Sequence, residues 1–431
     1  MRFEEALRDL DARQPERMVP DLTRIAALAE LLDHPERTSP TVHVTGTNGK
    51  TTTARVVARI LCGHGLAAGL YTSPHLESVT ERLAVCDDRI GEAEFAVEYE
   101  RLSPYLAEVD RRGERVTYFE TLTALAYLWF ADKPVDVAVY EVGMGGVWDA
   151  TNLVRGEVAV LCPIALDHPE LGSTIPEVAT EKAGIIKEGS VAIVREQVPE
   201  ALAVIEARAA ETGADLRLEG REFALEDRAV AVGGQQLTVR GLRRTYDDLF
   251  LPIHGPHQAR NAAAAVAASE ALLRGPLGEE SLREALAGAT SPGRLEVAGH
   301  RPLVVLDGAH NPEAARALVA ALADAFVWRR LHLVIGVLAD KDAAGILDHL
   351  AAVSERAFVA RPRSPRALDP DLLARECERA GIPATVFSSI GEAADTAIQA
   401  AADDDLVLVT GSLYTVAEAR ARLVTLRSSP H

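Results

Sequence analysis

Cysteine is scarce in this sequence, and the few cysteines are scattered along the chain. Cys62, Cys86, Cys162 and Cys377 are the 4 cysteines among 431 residues, and no two of them form a C-x-x-C motif. This spacing excludes a zinc site of the usual kind and provides no framework of disulfides. We therefore predict that all of them are buried thiols of a protein that resides in the cytoplasm.

Positive charge is also in short supply. The chain has 45 Lys and Arg residues against 64 Asp and Glu residues, for a formal net charge of −19. Nonspecific binding to nucleic acid or to an anionic membrane requires a basic face, so we expect neither partner. An anionic small molecule must be held by local cations that overcome the field of the whole protein. Each Lys or Arg inside a motif gains importance for that reason.

Long apolar segments are absent as well. No uninterrupted apolar run is long enough to cross a bilayer, and Met1 to Glu5 show no apolar core of a signal peptide. Internal repeats and low-complexity tracts are missing too. We expect a cytoplasmic monomer, and its 431 residues suit two or three domains.

A phosphate-binding loop is the most informative feature that the sequence does contain. In Val42–Thr52 a β-branched run ends in a glycine-rich turn, and Lys50, two threonines and a helical stretch from 53 to 61 follow. Glycines let the backbone approach phosphates closely, the N–H groups of the turn and helix face them, and Lys50 neutralises their charge. The predicted ATP-binding residues of this loop are Thr47, Asn48, Gly49, Lys50, Thr51 and Thr52.

The loop departs from the common pattern G-x-x-x-x-G-K-[ST] at one position. Val44 stands where the first glycine of that pattern belongs. A hydroxyl after the lysine usually reaches Mg²⁺. Thr51 and Thr52 are both available for this role, and the sequence does not choose between them. An ordinary glycine turn between a strand and a helix is the alternative, which the lysine and the paired threonines disfavour.

Apolar strands alternate with helical patterns in both halves of the chain, which predicts parallel sheets covered by helices. An amphipathic helix at 21–32 precedes the first strand. Short strands punctuated by glycines at 214–253 predict a small separate sheet. The main predicted strands are 42–45, 135–140, 157–161, 191–194, 303–306, 332–337, 384–387 and 405–410.

The expected fold class is α/β. A P-loop-containing parallel-sheet ATPase domain with a small extra β-sheet spans 1–290, and a linker spans 291–300. A Rossmann-like α/β domain spans 301–431. The boundary is placed at Ser291-Pro292-Gly293, where a helical stretch stops and a new strand-helix series begins.

Further motifs follow the phosphate-binding loop in a fixed order. Together with the T-G-T-N-G-K-T of the loop, they resemble the folylpolyglutamate synthase/dihydrofolate synthase family of the Mur ligase superfamily over most of the chain. Each motif alone is weak, but random matches would not keep this order. The motifs are Thr72–Leu76, Glu141–Asn152, Asp167-His168, Glu181–Ile185, Pro292–Arg294, Asp307–Pro312 and Gly411-Ser412.

Two strand ends carry candidate metal ligands. Glu141 ends an apolar strand, at the sheet edge where α/β proteins bind ligands, and Mg²⁺ often takes only one or two protein carboxylates. His168 follows Asp167 at the end of another predicted strand. A capping glutamate and a satisfied histidine are the structural alternatives. The resemblance implies Mg²⁺ ligands at Ser73, Glu141 and His168, with Thr51 or Thr52 on the metal that bridges the ATP phosphates.

Lys182 lies in a helical stretch, Glu177–Lys187, beside Glu181. Such spacing alone indicates a solvated surface charge. The resemblance implies the opposite, a catalytic lysine that is carbamylated by CO₂ and supports a second Mg²⁺. With Lys50 and His168 it completes the predicted catalytic set.

The resemblance also implies nucleotide and glutamate contacts outside the loop. Asn261, at the start of an Ala-rich helix, is expected to contact adenine. The resemblance implies that Asp307 and His310 lie near ribose and phosphates. Arg294, which follows Pro-Gly at the predicted linker, is expected from that position to reach the ATP phosphates when the domains close, and a linker arginine in solvent is the alternative. Lys341 and Ser412, each just after a predicted strand, are expected to bind the incoming glutamate. A solvent-exposed turn is the alternative for Lys341.

The resemblance implies a ligase that uses ATP to add L-glutamate to a folate-type carboxylate through an acyl phosphate. The substrate is tetrahydrofolate, dihydropteroate or both. Two departures from the family pattern, Val147 in place of arginine and a shortened 168–172 loop, bear on substrate preference.

Other classes of protein stay open as alternatives. About 40 residues before the loop are too few for the extra domain of a cell-wall Mur ligase. Asp307–Pro312 and Ser412 argue against a capsule polyglutamate synthetase. A Mur-type ligase with another acyl substrate and a nucleotide-binding switch protein remain to be separated by glutamate-dependent ATP turnover.

Overall fold

The computed structural model describes residues 1–15, 19–113 and 115–428. Its chain divides into two compact units. The first comprises 1–228, 236–251 and 260–289, and the second comprises 229–235, 252–259 and the residues from 290 onward. The domain limits expected from the sequence stay a prediction.

A mainly parallel sheet forms the first unit. Its described strands are β1 (Thr41–Thr45), β2 (Ala68–Tyr71), β3 (Leu83–Val85), β4 (Asp88–Arg89), β5 (Val137–Glu141), β6 (Val158–Leu161), β7 (Val191–Val194) and β8 (Asp215–Leu218). Their order across the sheet is β4-β3-β2-β5-β1-β6-β7-β8. In the part of the sheet that runs β2-β5-β1-β6-β7-β8, all neighbouring strands are parallel. At the other edge, β3 pairs antiparallel with both β2 and β4.

The extra sheet expected from the glycine-punctuated segment is present. It consists of β9 (Ala224–Ala231), β10 (Gly234–Arg240) and β11 (Thr245–Leu251), in the order β11-β10-β9.

The second unit has its own sheet. Its described strands are β12 (Glu296–His300), β13 (Leu303–Leu306), β14 (Leu331–Ile335), β15 (Arg356–Ala360), β16 (Ala384–Phe387) and β17 (Leu406–Thr410), in the order β12-β13-β17-β14-β15-β16. All pairs are parallel except β12 with β13. The α/β fold class with two parallel sheets is therefore confirmed. Strand β12 falls within the segment predicted as a linker.

Helices connect most of the strands. The described ones are α1 (Phe3–Asp11), α2 (Thr23–Leu31), α3 (Lys50–Gly63), α4 (Glu92–Arg112), α5 (Tyr118–Asp132), α6 (Ile175–Ala183), α7 (Pro199–Thr212), α8 (Pro256–Leu273), α9 (Glu279–Ala287), α10 (Pro312–Ala325), α11 (Ala343–Leu350), α12 (Pro370–Arg379), α13 (Ile390–Ala400) and α14 (Leu413–Ser428). Within the ranges that the structure describes, none of them is both long and apolar enough to cross a membrane.

Strand β1 occupies the centre of the first sheet because its sequence suits burial on both faces. All five of its residues are buried, and it pairs with β5 on one side and β6 on the other. The chain leaves β1 toward β2 and β5 and crosses to the opposite side for β6. Ligands of open α/β sheets bind at such a switch point, beyond the carboxyl ends of the strands. We therefore expect a ligand to bind next to the segments that follow β1 and β5.

The predicted segment ends differ from the observed ones by a few residues. The helical stretch 177–187 is α6, which begins after a capping box between Thr174 and Glu177 and has its C-cap at Gly184. The helix predicted at 21–32 is Thr23–Leu31, and the strand predicted at 135–140 is Val137–Glu141. A hydrogen-bonded cap sets the start of α6, and a pattern of apolar residues locates the ends of segments only approximately.

The expectation of four free thiols is wrong for two of the cysteines. Cys62, near the end of α3, forms a disulfide with Cys86, which lies between β3 and β4. Cys162 and Cys377 are free and buried, as expected. The antiparallel turn of β3 and β4 brings Cys86 back to α3 across 24 residues of sequence, and no local spacing motif reveals such a pairing.

Candidate functional site

The loop after β1 is closed so tightly that two of its positions accept only glycine. Gly46 and Gly49 have positive φ angles of 144° and 93°. A Cβ on Gly46 would lie 2.5 Å from the Cβ of Cys162, and a Cβ on Gly49 would lie 2.7 Å from Oδ1 of Asn261. The structure thus supplies the backbone approach that a phosphate-binding loop needs, although Val44 interrupts the common pattern.

Two lysines meet at one carbonyl of this loop. Lys50, the first residue of α3, donates from Nζ to the carbonyl oxygens of Gly46 at 2.9 Å and Thr47 at 3.2 Å. Lys182, on α6, donates from Nζ to the same Gly46 oxygen at 3.0 Å. A concentration of cationic groups inside an acidic protein is what the binding of a polyanion requires.

Lys182 is not a surface charge, contrary to what its spacing indicates. The residue is 3% exposed. Burial, and then the positive charge of Lys50, lowers the pKa of Lys182 to about 7. A large fraction of this amine is therefore neutral near neutral pH, which makes it a nucleophile.

The glycines after β5 explain how Lys182 becomes buried. A Cβ on Gly146 would lie 2.4 Å from the carbonyl oxygen of Glu181. Val147 donates its backbone N–H to that same oxygen at 3.0 Å. The loop thus lies directly on α6 beside Lys182, at a distance that a side chain at Gly146 would prevent.

Glu141 gathers the candidate metal ligands from two segments. It ends β5 and is 1% exposed. Its Oε1 accepts the hydroxyl of Thr51 at 2.6 Å, and its Oε2 accepts the backbone N–H of Ser73 at 3.0 Å. Thr51 is thus the threonine that contacts Glu141, while Thr52 is buried on α3, and the assignment of Thr51 to the metal stays a prediction.

This donor set fits Mg²⁺. One carboxylate and neighbouring hydroxyls are oxygen ligands, and Mg²⁺ uses few protein ligands because it keeps waters and takes phosphate oxygens. No cluster of three or more His, Cys, Asp or Glu residues able to hold a metal exists among the described residues.

His168 joins the lysines, but not from a strand end. Strand β6 stops at Leu161, and His168 precedes a 3-10 turn at Pro169–Leu171. The position expected for it was wrong because five residues, 162–166, lie between the end of β6 and Asp167. Its Nε2 lies 3.4 Å from Oδ2 of Asp167. Both side chains line a cavity with Gly46, Thr47, Lys50, Gly143, Met144, Ala165, Leu171 and Lys182.

Asn261 lies against the phosphate-binding loop and does not cap its helix. Helix α8 begins at Pro256, so Asn261 is already in its second turn, where it is 2% exposed. Arg195 donates to its Oδ1. Since a guanidinium can only donate, this contact fixes which end of the amide is oxygen.

Arg195 is a site residue that the sequence reasoning missed. It directly follows β7, is 3% exposed and donates to Oε2 of Glu219 at 2.9 Å. Arg260 donates to the other oxygen of Glu219 at 2.7 Å. Burial opposes ionisation of Glu219, yet the two arginines hold its pKa below the usual value. The available signal was an arginine at the carboxyl end of a parallel strand, two strands away from the one that leads into the loop.

In the second unit, three predicted nucleotide residues meet after β13. Asp307 is buried and accepts the backbone N–H groups of Leu295 and Ala309, both at 2.9 Å. Burial raises its pKa, and the charge of Arg294 partly offsets that effect. The Nδ1 of His310 donates to the carbonyl oxygen of Gly308 at 2.8 Å. Asp307 therefore organises the backbone of its own loop.

The two predicted glutamate-binding residues differ in their surroundings. The side chain of Lys341 is 5% exposed, and its Nζ lies 3.6 Å from Oδ2 of Asp340. The alternative interpretation of Lys341 as a residue in a solvent-exposed turn is therefore wrong. Ser412 is buried, and its Oγ accepts the N–H of Thr415 at 3.1 Å and lies 2.8 Å from the hydroxyl of Thr415. Within this structure Ser412 acts as a cap of α14.

The fold and the site together define a class of protein. A phosphate-binding loop follows the central strand of one α/β unit, two lysines and a buried carboxylate lie beside it, and a second α/β unit with a mainly parallel sheet follows. This is the organisation of a Mur ligase. The chain matches the Mur ligase middle domain over residues 44–269 and the Mur ligase glutamate ligase domain over residues 293–413.

Individual relatives narrow the class. The chain is 41% identical to the dihydrofolate synthase/folylpolyglutamate synthase of Mycobacterium tuberculosis, over 95% of this chain and 92% of that protein. It is 36% identical to the folylpolyglutamate synthase of Lacticaseibacillus casei, over 94% of both. The chain belongs to the folylpolyglutamate synthase/dihydrofolate synthase family.

Solved structures agree with this assignment. The M. tuberculosis folylpolyglutamate synthase complexed with ADP superimposes with a TM-score of 0.94 at 40% identity, over 98% of both chains. E. coli FolC in complex with DHPP and ADP superimposes with a TM-score of 0.88 at 33% identity, over 99% of both chains.

Proposed function

We propose that this chain is an ATP-dependent ligase that joins L-glutamate to the carboxylate of tetrahydrofolate, of dihydropteroate, or of both. Its family supports this function, and one observation carries the chemistry. Lys50 and Lys182 converge on the Gly46 carbonyl, inside the loop that follows the central strand. Two amines at one point of a protein with a net charge of −19, one of them buried and one half-buried, favour an anionic occupant.

The first step is phosphoryl transfer. A carboxylate oxygen of the folate-type substrate attacks the γ-phosphorus of ATP, the bond to the β,γ-bridging oxygen breaks, and an acyl phosphate and ADP result. Lys50 is placed to exchange its contacts with the Gly46 and Thr47 carbonyls for phosphate oxygens. The N–H groups at the start of α3, in the segment Thr47–Thr52, offset the charge that remains.

The second step forms the amide. The amine of L-glutamate attacks the acyl carbon, the tetrahedral intermediate expels phosphate, and the amine loses its proton to the medium. We assign Lys341 and Ser412 to the carboxylates of the incoming glutamate, and Arg294, Asp307 and His310 to the nucleotide. The side chain of Lys341 is buried and its ammonium pairs with Asp340, and this burial supports a role beyond that of a surface charge.

Thr51, Ser73 and Glu141 are the residues that would hold Mg²⁺ with ATP, and His168 would serve a second Mg²⁺ beside Lys182. Bound Mg²⁺ supplies charge neutralisation of the phosphate oxygens. Glu141 orients the Thr51 hydroxyl and the Ser73 backbone through its two oxygens.

Lys182 is the proposed site of carbamylation. Its neutral amine attacks the carbon of CO₂, a C–N bond forms, and the nitrogen loses a proton, which leaves a carbamate anion. The pKa of about 7 provides the neutral amine that this reaction needs. The product would turn the local charge from positive to negative, beside His168 and Asp167.

Arg195 gives the first prediction about nucleotide affinity. Arg195→Gln is expected to weaken ADP binding roughly tenfold, because the amide of Asn261 loses the donor that orients it. Isothermal titration calorimetry with ADP measures the effect. Arg260→Gln is the matched control, since Arg260 shares Glu219 with Arg195 and is expected to leave the Kd within about twofold. An equal loss in both variants would point to Glu219 and remove Arg195 from the nucleotide site.

Phosphate release tests the function itself. We expect release from Mg-ATP and L-glutamate with dihydropteroate in one reaction, with tetrahydrofolate in another, or in both. The product should be heavier by one glutamyl group in mass spectrometry, and a reaction without glutamate is the control. Release with only one acid would make Val147 and the 168–172 loop the first positions to exchange. Bound ATP without glutamate-dependent release would overturn the proposal in favour of another acyl substrate or a nucleotide switch.

We also propose that the protein is a cytoplasmic monomer. The cytoplasm contains both ATP and L-glutamate, and every residue assigned above lies in one chain. Size-exclusion chromatography with light scattering measures the oligomeric state directly.

A further inference from the structure

A chain of buried polar groups runs behind the glycine-rich loop 143–148. It begins at His43 on β1, whose Nε2 lies 2.8 Å from the hydroxyl oxygen of Thr151. Thr151 lies in the 3-10 turn Ala150–Leu153 and donates its hydroxyl to Oδ1 of Asp149 at 2.6 Å. His43 and Thr151 are fully buried, and Asp149 is 3% exposed. None of these three residues has a part in the chemistry assigned so far.

The direction of each hydrogen bond in this chain can be assigned. The hydroxyl of Thr151 has one proton, and that proton goes to Asp149, so the hydroxyl oxygen must accept from His43. His43 therefore has its proton on Nε2. Its Nδ1 is buried and without a hydrogen-bond partner among the described residues. Burial, and then the charge of Lys187, lowers the pKa of His43 to about 3, so the ring is neutral.

Asp149 joins this chain to the loop. Its Oδ2 accepts the N–H of Met144 at 2.9 Å, and its Oδ1 also accepts the N–H of Thr151 at 3.0 Å. Burial raises the pKa of Asp149, and these backbone donors act against that effect. The aspartate closes the loop on itself, and the hydroxyl of Thr151 decides where its Oδ1 lies.

The loop held in this way forms one wall of the cavity. Gly143 and Met144 line it together with Lys50 and Lys182. Val147 binds the backbone of α6 one residue before Lys182. A shift of the loop therefore changes both the wall of the cavity and the position of the helix that carries Lys182.

We propose that His43 and Thr151 are positioning residues, which act through Asp149 to hold the loop 143–148 in the conformation that receives the acyl substrate. The assignment of the acyl substrate to this wall rests on the proposed function. The proposed function assigns the nucleotide to a different segment, Gly46–Thr52, so the two binding events should respond differently to loss of the Thr151 hydroxyl.

The matched pair Thr151→Val and Thr151→Ser tests this proposal. Valine keeps the shape and the backbone N–H but removes the hydroxyl, and serine keeps the hydroxyl. Thr151→Val is expected to raise the KM for the acyl substrate about tenfold while the KM for ATP stays within about twofold. Thr151→Ser is expected to restore the wild-type value.

Hydrogen exchange of the loop amides, in the absence of any substrate, provides a second readout. The amides of 143–148 should exchange about tenfold faster in Thr151→Val than in the wild type or Thr151→Ser. This measurement holds even if the acyl substrate is not a folate, so it separates failure of this inference from failure of the proposed function.

Two results would overturn the inference. One is a Thr151→Val variant with unchanged loop exchange and an unchanged KM for the acyl substrate. The other is an equal rise of both KM values together with a lower melting temperature, which would show that the hydroxyl serves general stability. His43→Gln, which retains a side-chain N–H donor, is expected to exchange more slowly than His43→Leu, and the reverse order would also count against the proposal.

Discussion

Replacing Lys182 with methionine is expected to lower ligase turnover by about 10²–10³-fold or more, because the proposed carbamate beside the second Mg²⁺ can no longer form. The same change is expected to make the ligand-free protein more stable below pH 7. Lys182 is 3% exposed and lies beside the Lys50 ammonium, so its protonated form is costly to bury. A turnover assay and urea unfolding of the two proteins measure the opposite effects.

The pH dependence of this stability gain follows from the pKa of Lys182. The folded-state pKa is about 7, against an ordinary value of 10.5, so between these values the unfolded chain binds more protons than the folded one. Stability of the wild type therefore rises with pH across that window, and the penalty is complete below pH 7. The advantage of Lys182→Met should fall by on the order of 2 kcal/mol between pH 6 and pH 9. An advantage independent of pH would show that Lys182 is not a titrating group.

Carbamylation can be observed on the same variant. With ¹³C-bicarbonate, the wild type should show a carbamate resonance that Lys182→Met lacks. Lys187→Met is the matched control, because burial lowers the pKa of Lys187 to about 8 as well, and its amine donates to the carbonyl oxygen of Asn152 at 3.0 Å. A resonance that survives in Lys182→Met and disappears in Lys187→Met would show that Lys187 is the modified residue, and it would contradict the role proposed for Lys182.

Replacing Glu141 with glutamine is expected to lower kcat by about 10²–10³-fold and to raise the Mg²⁺ concentration needed for half-maximal rate. The carboxylate has two acceptor oxygens, which the Thr51 hydroxyl and the Ser73 N–H use. The amide of glutamine must turn its NH₂ group toward one of these donors, which breaks that contact and removes a negative charge. Turnover at a series of Mg²⁺ concentrations measures both effects.

Glu157→Gln is the control for that experiment. Glu157 accepts the N–H and the hydroxyl of Thr41, at 2.7 and 2.9 Å, at the opposite end of β1. It has the same kinds of partner as Glu141 but no access to the phosphate-binding loop. We expect Glu157→Gln to retain turnover with some loss of stability. An equal loss of turnover in both variants would mean that Glu141 supports the strand and not the metal.

Both parallel sheets, the phosphate-binding loop and the position of Glu141 could be predicted from the sequence. Alternating strands and helices predicted both sheets, and the glycines around Lys50 predicted the loop, because local chemistry determines each of them. Glu141 was placed correctly at a strand end since a buried apolar run precedes it directly. Such features depend on neighbours within about ten residues along the chain, which a single sequence displays.

What the sequence did not reveal depends on segments far apart in the chain. Lys182 has the spacing of an exposed residue, and it is buried only because Gly146 allows another loop to lie on its helix. Arg195 becomes relevant through Asn261, which is 66 residues away. The predicted strand 157–161 ends at Leu161, as β6 does, and the error was to place His168 at that end although residues 162–167 intervene. Packing partners decided the cases of Lys182 and Arg195.

The disulfide between Cys62 and Cys86 has a topological consequence for the metal site. It closes the intervening polypeptide into a covalent ring, and Ser73 is a member of that ring. A single cut of the backbone anywhere between the two cysteines would open the ring without releasing a fragment. The strand that precedes Ser73 would stay tethered to the helix that begins with Lys50. The segment that supplies one candidate metal ligand is thus fastened to the phosphate-binding helix by a bond that no backbone cleavage within it can sever.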